Sequence, residues 1–154
     1  MNRKILLLIS PLAVAALAAG LLFARLPKEA GVLRPKDPAI VAHGQAVYAD
    51  YCASCHGAEL QGEPDWDAPK ENGRLPAPPH DISGHTWHHT DALLVELTAK
   101  GAAAVIGMGY ESNMPGFAGT LSDDDIVAVL SFIKSRWPEE VRRRHDELNR
   151  RAAH

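Results

Sequence analysis

Hydrophobic positions are distributed unevenly along this chain. Ile5 to Ala24 is a run of 20 residues without a charge, placed directly after Asn2, Arg3 and Lys4. As a helix such a run rises about 30 Å, enough to cross a bilayer. Ala16-Leu17-Ala18 resembles the small-residue site of a cleaved secretory signal, but the apolar run continues past it through Leu21, Leu22 and Phe23. Residues 1–24 are therefore expected to form an uncleaved transmembrane anchor, with a soluble protein released by cleavage as the alternative. Arg25, Lys28, Arg34 and Lys36 outnumber Arg3 and Lys4, so flanking charge alone does not orient the segment. Residues 25–37, "RLPKEAGVLRPKD", read as a proline-punctuated stalk.

Beyond the stalk the pattern turns helical and interrupted. Asp37 followed by Pro38 has the form of an N-cap with proline at the first helical position, opening a helix through "AIVAHGQAVYADYC". Gly57 to Gly84 is rich in Gly, Pro, Asp and Asn and lacks a sustained period, as expected of an irregular loop. "TDALLVELTAKG" supplies Thr90 as N-cap, a stripe of Leu93, Leu94 and Leu97, and Gly101 as the stop. Gly101 to Gly119 again reads as loop. In "LSDDDIVAVLSFIKSRWP", Ser122 and Asp125 have capping-box spacing, and Ile126, Leu130, Ile133 and Trp137 recur at helical intervals. Residues 139–154 are charged throughout and predict a solvated helical or frayed tail. No strand pattern or internal repeat is present. The expectation is an all-α domain over residues 38–138, with three main helices and loops long enough to need something to wrap around.

Formal charge modifies this picture. The chain totals -3, but residues 1–36 carry net +5 and residues 37–137 carry net -9. An acidic body excludes nucleic acid as a partner and suits a basic protein face or simple solubility.

The chemistry is concentrated in "YCASCHG", Tyr51 to Gly57, which holds both cysteines of the chain. Cys-x-x-Cys-His is the attachment signature of c-type haem. Two thiols at this spacing can add across the two vinyl groups, and the adjacent imidazole of His56 then lies under the iron. A structural zinc site needs four ligands, usually two pairs, and there is no second Cys-x-x-Cys. Thioredoxin-type chemistry needs the pair at the start of a helix, not the end of one. A disulfide across two residues would close a very small loop and stabilise little. No catalytic base, nucleophile or phosphate loop is evident, so the chain is not read as an enzyme on its own.

Gly44, Tyr48, "CASCHG", "NMPGF" from Asn113 to Phe117 and the "LSDDDIVAVLSFIKSRW" helix together resemble class I c-type cytochromes, specifically small membrane-anchored monohaem cytochromes of bacteria. The resemblance covers roughly residues 40–137. It implies the cytochrome c fold around one covalent haem c, and electron transfer in the periplasm or on the outer face of the cytoplasmic membrane. It implies a redox donor complex and an oxidase or other acceptor as partners, with the membrane reached through the N-terminal helix. It also places Gly44 and Tyr48 where the first and last helices cross, against Leu130, Ile133 or Trp137.

For the axial ligand opposite His56, the resemblance points to Met114, in a Met-Pro step ahead of the last helix. Met108 is the alternative. Pro78 or Pro79, with Pro79 as the candidate, is expected to orient His56 through a backbone carbonyl. Trp87 and Arg74 are candidates for contacting the haem propionates. "PPHDISGHTWHHT" contributes His80, His85, His88 and His89, expected along the haem edge; bis-His ligation and a copper or zinc site are the alternatives. Two rival functions remain: a haem enzyme or gas sensor with a labile distal ligand, and a His-rich metal-handling module.

Overall fold

The computed structural model describes residues 31–154. The expected anchor and most of the stalk lie outside the described residues, and no described helix is long and apolar enough to cross a membrane. Six α-helices follow in order: α1 (Pro38–Tyr51), α2 (Ala53–His56), α3 (Asp91–Lys100), α4 (Ala102–Ile106), α5 (Asp123–Ser135) and α6 (Glu139–Ala152). A 3-10 turn, Thr86–His88, precedes α3. No strand occurs among the described residues, in keeping with the all-α expectation.

Each main helix begins at the cap its sequence predicts. The Asp37 carboxylate accepts from the backbone N–H groups of Ala39 and Ile40, satisfying donors that the first turn leaves without partners. Thr90 accepts from Leu93 N at the head of α3. At α5, Ser122 and Asp125 form a reciprocal capping box, and three aspartates sit at the positive end of the helix dipole. The Asp125 carboxyl is pushed down to about 2 by these Ser122 hydrogen bonds, helped by His43.

The core forms where α1 crosses α5. A Cβ on Gly44 would stand 2.0 Å from the Ala128 carbonyl oxygen, so the two backbones approach as closely as glycine permits. One turn on, the rings of Tyr48 and Phe132 pack at 5.4 Å between centroids. The closest approach at the crossing is therefore to Ala128 and Phe132, with Leu130, Ile133 and Trp137 in the same buried cluster as Tyr48. That cluster also holds Ile126, Val129, Val47 and Leu94. In α3, Leu94 is buried with Thr98, while Leu93 and Leu97 remain partly exposed.

Both ends of the described segment pack on the body. Residues 31–34 do not stand off the body: Leu33 is buried, its N–H donates to Asp91 Oδ2, and Arg34 N donates to Ser131 Oγ. The charged tail is helical, one of the two forms expected, but it is packed rather than solvated, because Val141, His145 and Asn149, four apart, turn one face of α6 inward. His145 Nε2 donates to the His89 carbonyl at 2.8 Å. Asn149 bridges to Asp91, donating through Nδ2 and accepting from Asp91 N. Lys134, 2% exposed, pairs with Asp146 at 2.6 Å and stands 4.0 Å from Asp91. Counting hydrophobic residues along this segment misses the face, since two of its three buried side chains are polar.

Candidate haem site

Cys52 ends α1, and the chain immediately re-enters a single turn, α2, that carries Cys55 and His56. Backbone bonds from Cys55 N and His56 N to the Cys52 carbonyl close this turn, bringing both thiols and the imidazole to one end of α1. The Tyr48 hydroxyl donates to the Gly57 carbonyl at 2.8 Å, tying the turn back to the helix crossing. Burial pushes the Tyr48 phenol above its ordinary range, so it remains a donor.

Both cysteines are unpaired with one another, Cys52 half-buried and Cys55 exposed. Burial, with a smaller contribution from Cys55, pushes the Cys52 thiol up to about 11. An attacking thiol in a redox pair is favoured by the opposite shift.

His56 is buried, and its Nδ1 lies 2.8 Å from the Pro78 carbonyl oxygen. The carbonyl can only accept, so Nδ1 carries the proton and Nε2 holds the ring's lone pair. Burial lowers the imidazole's proton affinity more than the Pro78 bond raises it, favouring the neutral form that ligates a metal. The orienting proline is thus Pro78, not Pro79. Pro79 is fully buried one residue on, with its carbonyl turned to the Thr86 hydroxyl. The loops on either side are clasped together, since Glu63 N donates to the Ala77 carbonyl and His80 N to the Leu60 carbonyl.

Met114 lies half-buried on a segment laid along the end of α3. Phe117 N and Ala118 N donate to the carbonyls of Thr98 and Ala99. Gly101, at φ +84°, leaves room for this segment: a Cβ there would stand 2.8 Å from Gly116 N. Arg74 braces the same loop from the other side, donating through Nε to Glu111 and through Nη1 to Asn113, the residue before Met114. Met108, by contrast, is fully exposed between two glycines. Residues 102–106, expected as loop, form the short helix α4.

Trp87 is partly buried against the core, yet its indole Nε1 is buried without a hydrogen-bond partner. A buried N–H in this condition is costly unless a ligand supplies an acceptor. Together with two unpaired cysteines and a histidine whose Nε2 lone pair is free, this orphan donor fits an anionic prosthetic group seated here.

The histidine run does not gather into a metal site. His80 stacks on His56, with ring centroids 4.0 Å apart, and its Nδ1 lies 2.8 Å from Thr86 Oγ1. His85 stacks on Trp66, and His88 packs edge-on to Trp87. Among the described residues no group of three or more His, Cys, Asp or Glu side chains is arranged to hold a metal ion. Sequence reasoning missed the His80–His56 contact because a spacing of 24 residues carries no periodic signal.

Comparison with known proteins agrees with this architecture. The chain is 49% identical over 104 residues to the cbb3-type cytochrome c oxidase subunit FixP of Rhizobium meliloti (strain 1021). It is 28% identical over 104 residues to the corresponding subunit FixPc of Rhizobium leguminosarum bv. viciae. Both alignments cover 66% of this chain and span 29% of the length of the relative. No solved structure matches. The cytochrome c family profile matches residues 41–137, from α1 through the end of α5 and Trp137. The chain therefore belongs to the cytochrome c family and carries covalently bound haem c.

Proposed function

We propose that Cys52 and Cys55 form the two thioether links, that His56 and Met114 are the axial ligands, and that the chain works as a one-electron carrier delivering electrons to a terminal oxidase. The observation that carries this reading is the His56–Pro78 hydrogen bond, which leaves the Nε2 lone pair free on the turn that follows Cys52 and carries Cys55. When bound, the haem supplies a one-electron iron couple whose potential a His/Met pair raises.

The protein's own residues do the rest. Pro78 fixes the imidazole plane, the α3 end and Arg74 hold the Met114 loop, and Trp87 Nε1 is available to donate to a propionate. Arg74 is the other candidate for a propionate contact, although Glu111 and Asn113 already take two of its donors. His56 on α2 and Met114 on the loop before α5 would together hold the iron and leave no open position for substrate, which suits a carrier better than an enzyme.

A cbb3-type oxidase is the acceptor class we favour, because the FixP relatives are subunits of such an oxidase. The acidic body would meet a basic docking face. Residues 5–24 would hold the haem domain at the outer surface of the cytoplasmic membrane, raising its effective concentration near membrane-bound partners. Exchanging each methionine separately tests the ligand assignment. Met114→Ala is expected to abolish the low-spin Met-ligated optical spectrum, and Met108→Ala to leave it intact. The reverse pattern would overturn the assignment.

A further inference from the structure

His80 has no role in attachment or ligation, yet it is held more firmly than any other member of the histidine run. Its Nδ1 is hydrogen-bonded to Thr86 Oγ1 at 2.8 Å. Its backbone N–H donates to the Leu60 carbonyl at 2.8 Å, and its own carbonyl accepts from Trp137 Nε1 at 2.8 Å. The Tyr48 ring meets it edge-on at 6.4 Å. These contacts come from the 57–62 loop, the 3-10 turn, α1 and the residues after α5. They present one aromatic face to the ring of His56 at 4.0 Å and 22° from parallel.

We propose that His80 is a positioning residue that sets the redox equilibrium of the site by stacking its aromatic face on the axial imidazole of His56. The inference rests on the assignment of His56 as ligand. A ligated imidazole is poorer in electrons when the iron is ferric than when it is ferrous. An aromatic face at stacking distance favours the more positive state, as a π system favours a nearby cation. The contact therefore stabilises the oxidised form and lowers the midpoint potential. An aliphatic side chain of similar bulk would fill the space without this preference.

The test is an equilibrium redox titration of haem-loaded full-length protein at one fixed pH, with the optical spectrum recorded in both states. His80→Leu is expected to shift the reduction equilibrium about tenfold toward the ferrous form, a rise of about 59 mV for a one-electron couple. His80→Phe, which retains an aromatic face, is expected to move it less than half as far. Thr86→Val keeps the His80 side chain but removes the hydrogen bond that holds its ring in the stack, and is expected to raise the potential by a smaller amount. Where His80→Leu fails to mature, the Thr86→Val midpoint decides the question. In the oxidised protein the paramagnetic shifts of the His56 ring protons are expected to change in His80→Leu and not in His80→Phe.

An unchanged midpoint in His80→Leu with a native low-spin spectrum would overturn the proposal. So would an equal shift in His80→Phe and His80→Leu, or an unchanged midpoint in Thr86→Val. If the wild-type protein itself lacked a low-spin histidine-ligated spectrum, the fault would lie with the ligation reading, so the two failures are distinguishable.

Discussion

Cys52 illustrates how one residue serves both the helix and the site. Its carbonyl accepts from Cys55 N and His56 N, so the backbone group that ends α1 also starts the turn carrying Cys55 and His56. Tyr48, one helical turn earlier, performs a second coupling through its hydroxyl bond to the Gly57 carbonyl. Tyr48→Phe keeps the ring packed on Phe132 and removes only that bond. Because Gly57 O still accepts from Leu60 N, the expected loss is about 1 kcal/mol of unfolding free energy, measured by denaturant titration of the haem-loaded protein. A loss near zero would mean that the hydroxyl is satisfied equally well by water in the unfolded chain.

Helix crossings set the distances between these residues. Gly44→Ala would force α1 and α5 apart at the Ala128 carbonyl, and overpacking of this kind costs about 1–3 kcal/mol, readable as a lowered denaturation midpoint. Buried charge ties α5 to the start of α3. Lys134→Met would leave the Asp91 carboxylate, 3% exposed, without its nearby cation, and a broken buried pair costs about 3–5 kcal/mol, readable as a lowered denaturation midpoint. The same elements show what a sequence can and cannot disclose. Caps at Asp37, Thr90 and Ser122 are local signals, and each helix starts where its cap predicts. The Cys52-x-x-Cys55-His56 motif is a local signal of the same kind, lying within five residues. His80 and α6 are not, because their roles depend on partners more than 20 residues away. The choice between Pro78 and Pro79 turns on a carbonyl direction that composition does not encode.

At the scale of the molecule, acid should loosen the packing of α6. His145 lies fully buried among Lys134 from α5, Asp91 at the start of α3, and Asp146 and Asn149 on its own helix, with its Nε2 on the His89 carbonyl. Burial, and then the Lys134 charge, hold its proton affinity below the ordinary histidine value, outweighing Asp91. The unfolded chain therefore takes up this proton first as pH falls. The His145 contribution is complete above about pH 6.5 and is lost progressively below it. Thermal denaturation between pH 7 and 5 is expected to fall less steeply in His145→Gln than in the wild type; equal slopes would place the titrating group elsewhere.

All of these effects presuppose a polypeptide bonded to its cofactor through the turn at the end of α1. The direct measurement is peptide mass mapping of denatured protein from cells competent in cytochrome maturation. The account predicts that the tryptic peptide from Asp37 to Lys70 carries the mass of one haem. A peptide of unmodified mass, with Cys52 and Cys55 both free, would contradict it.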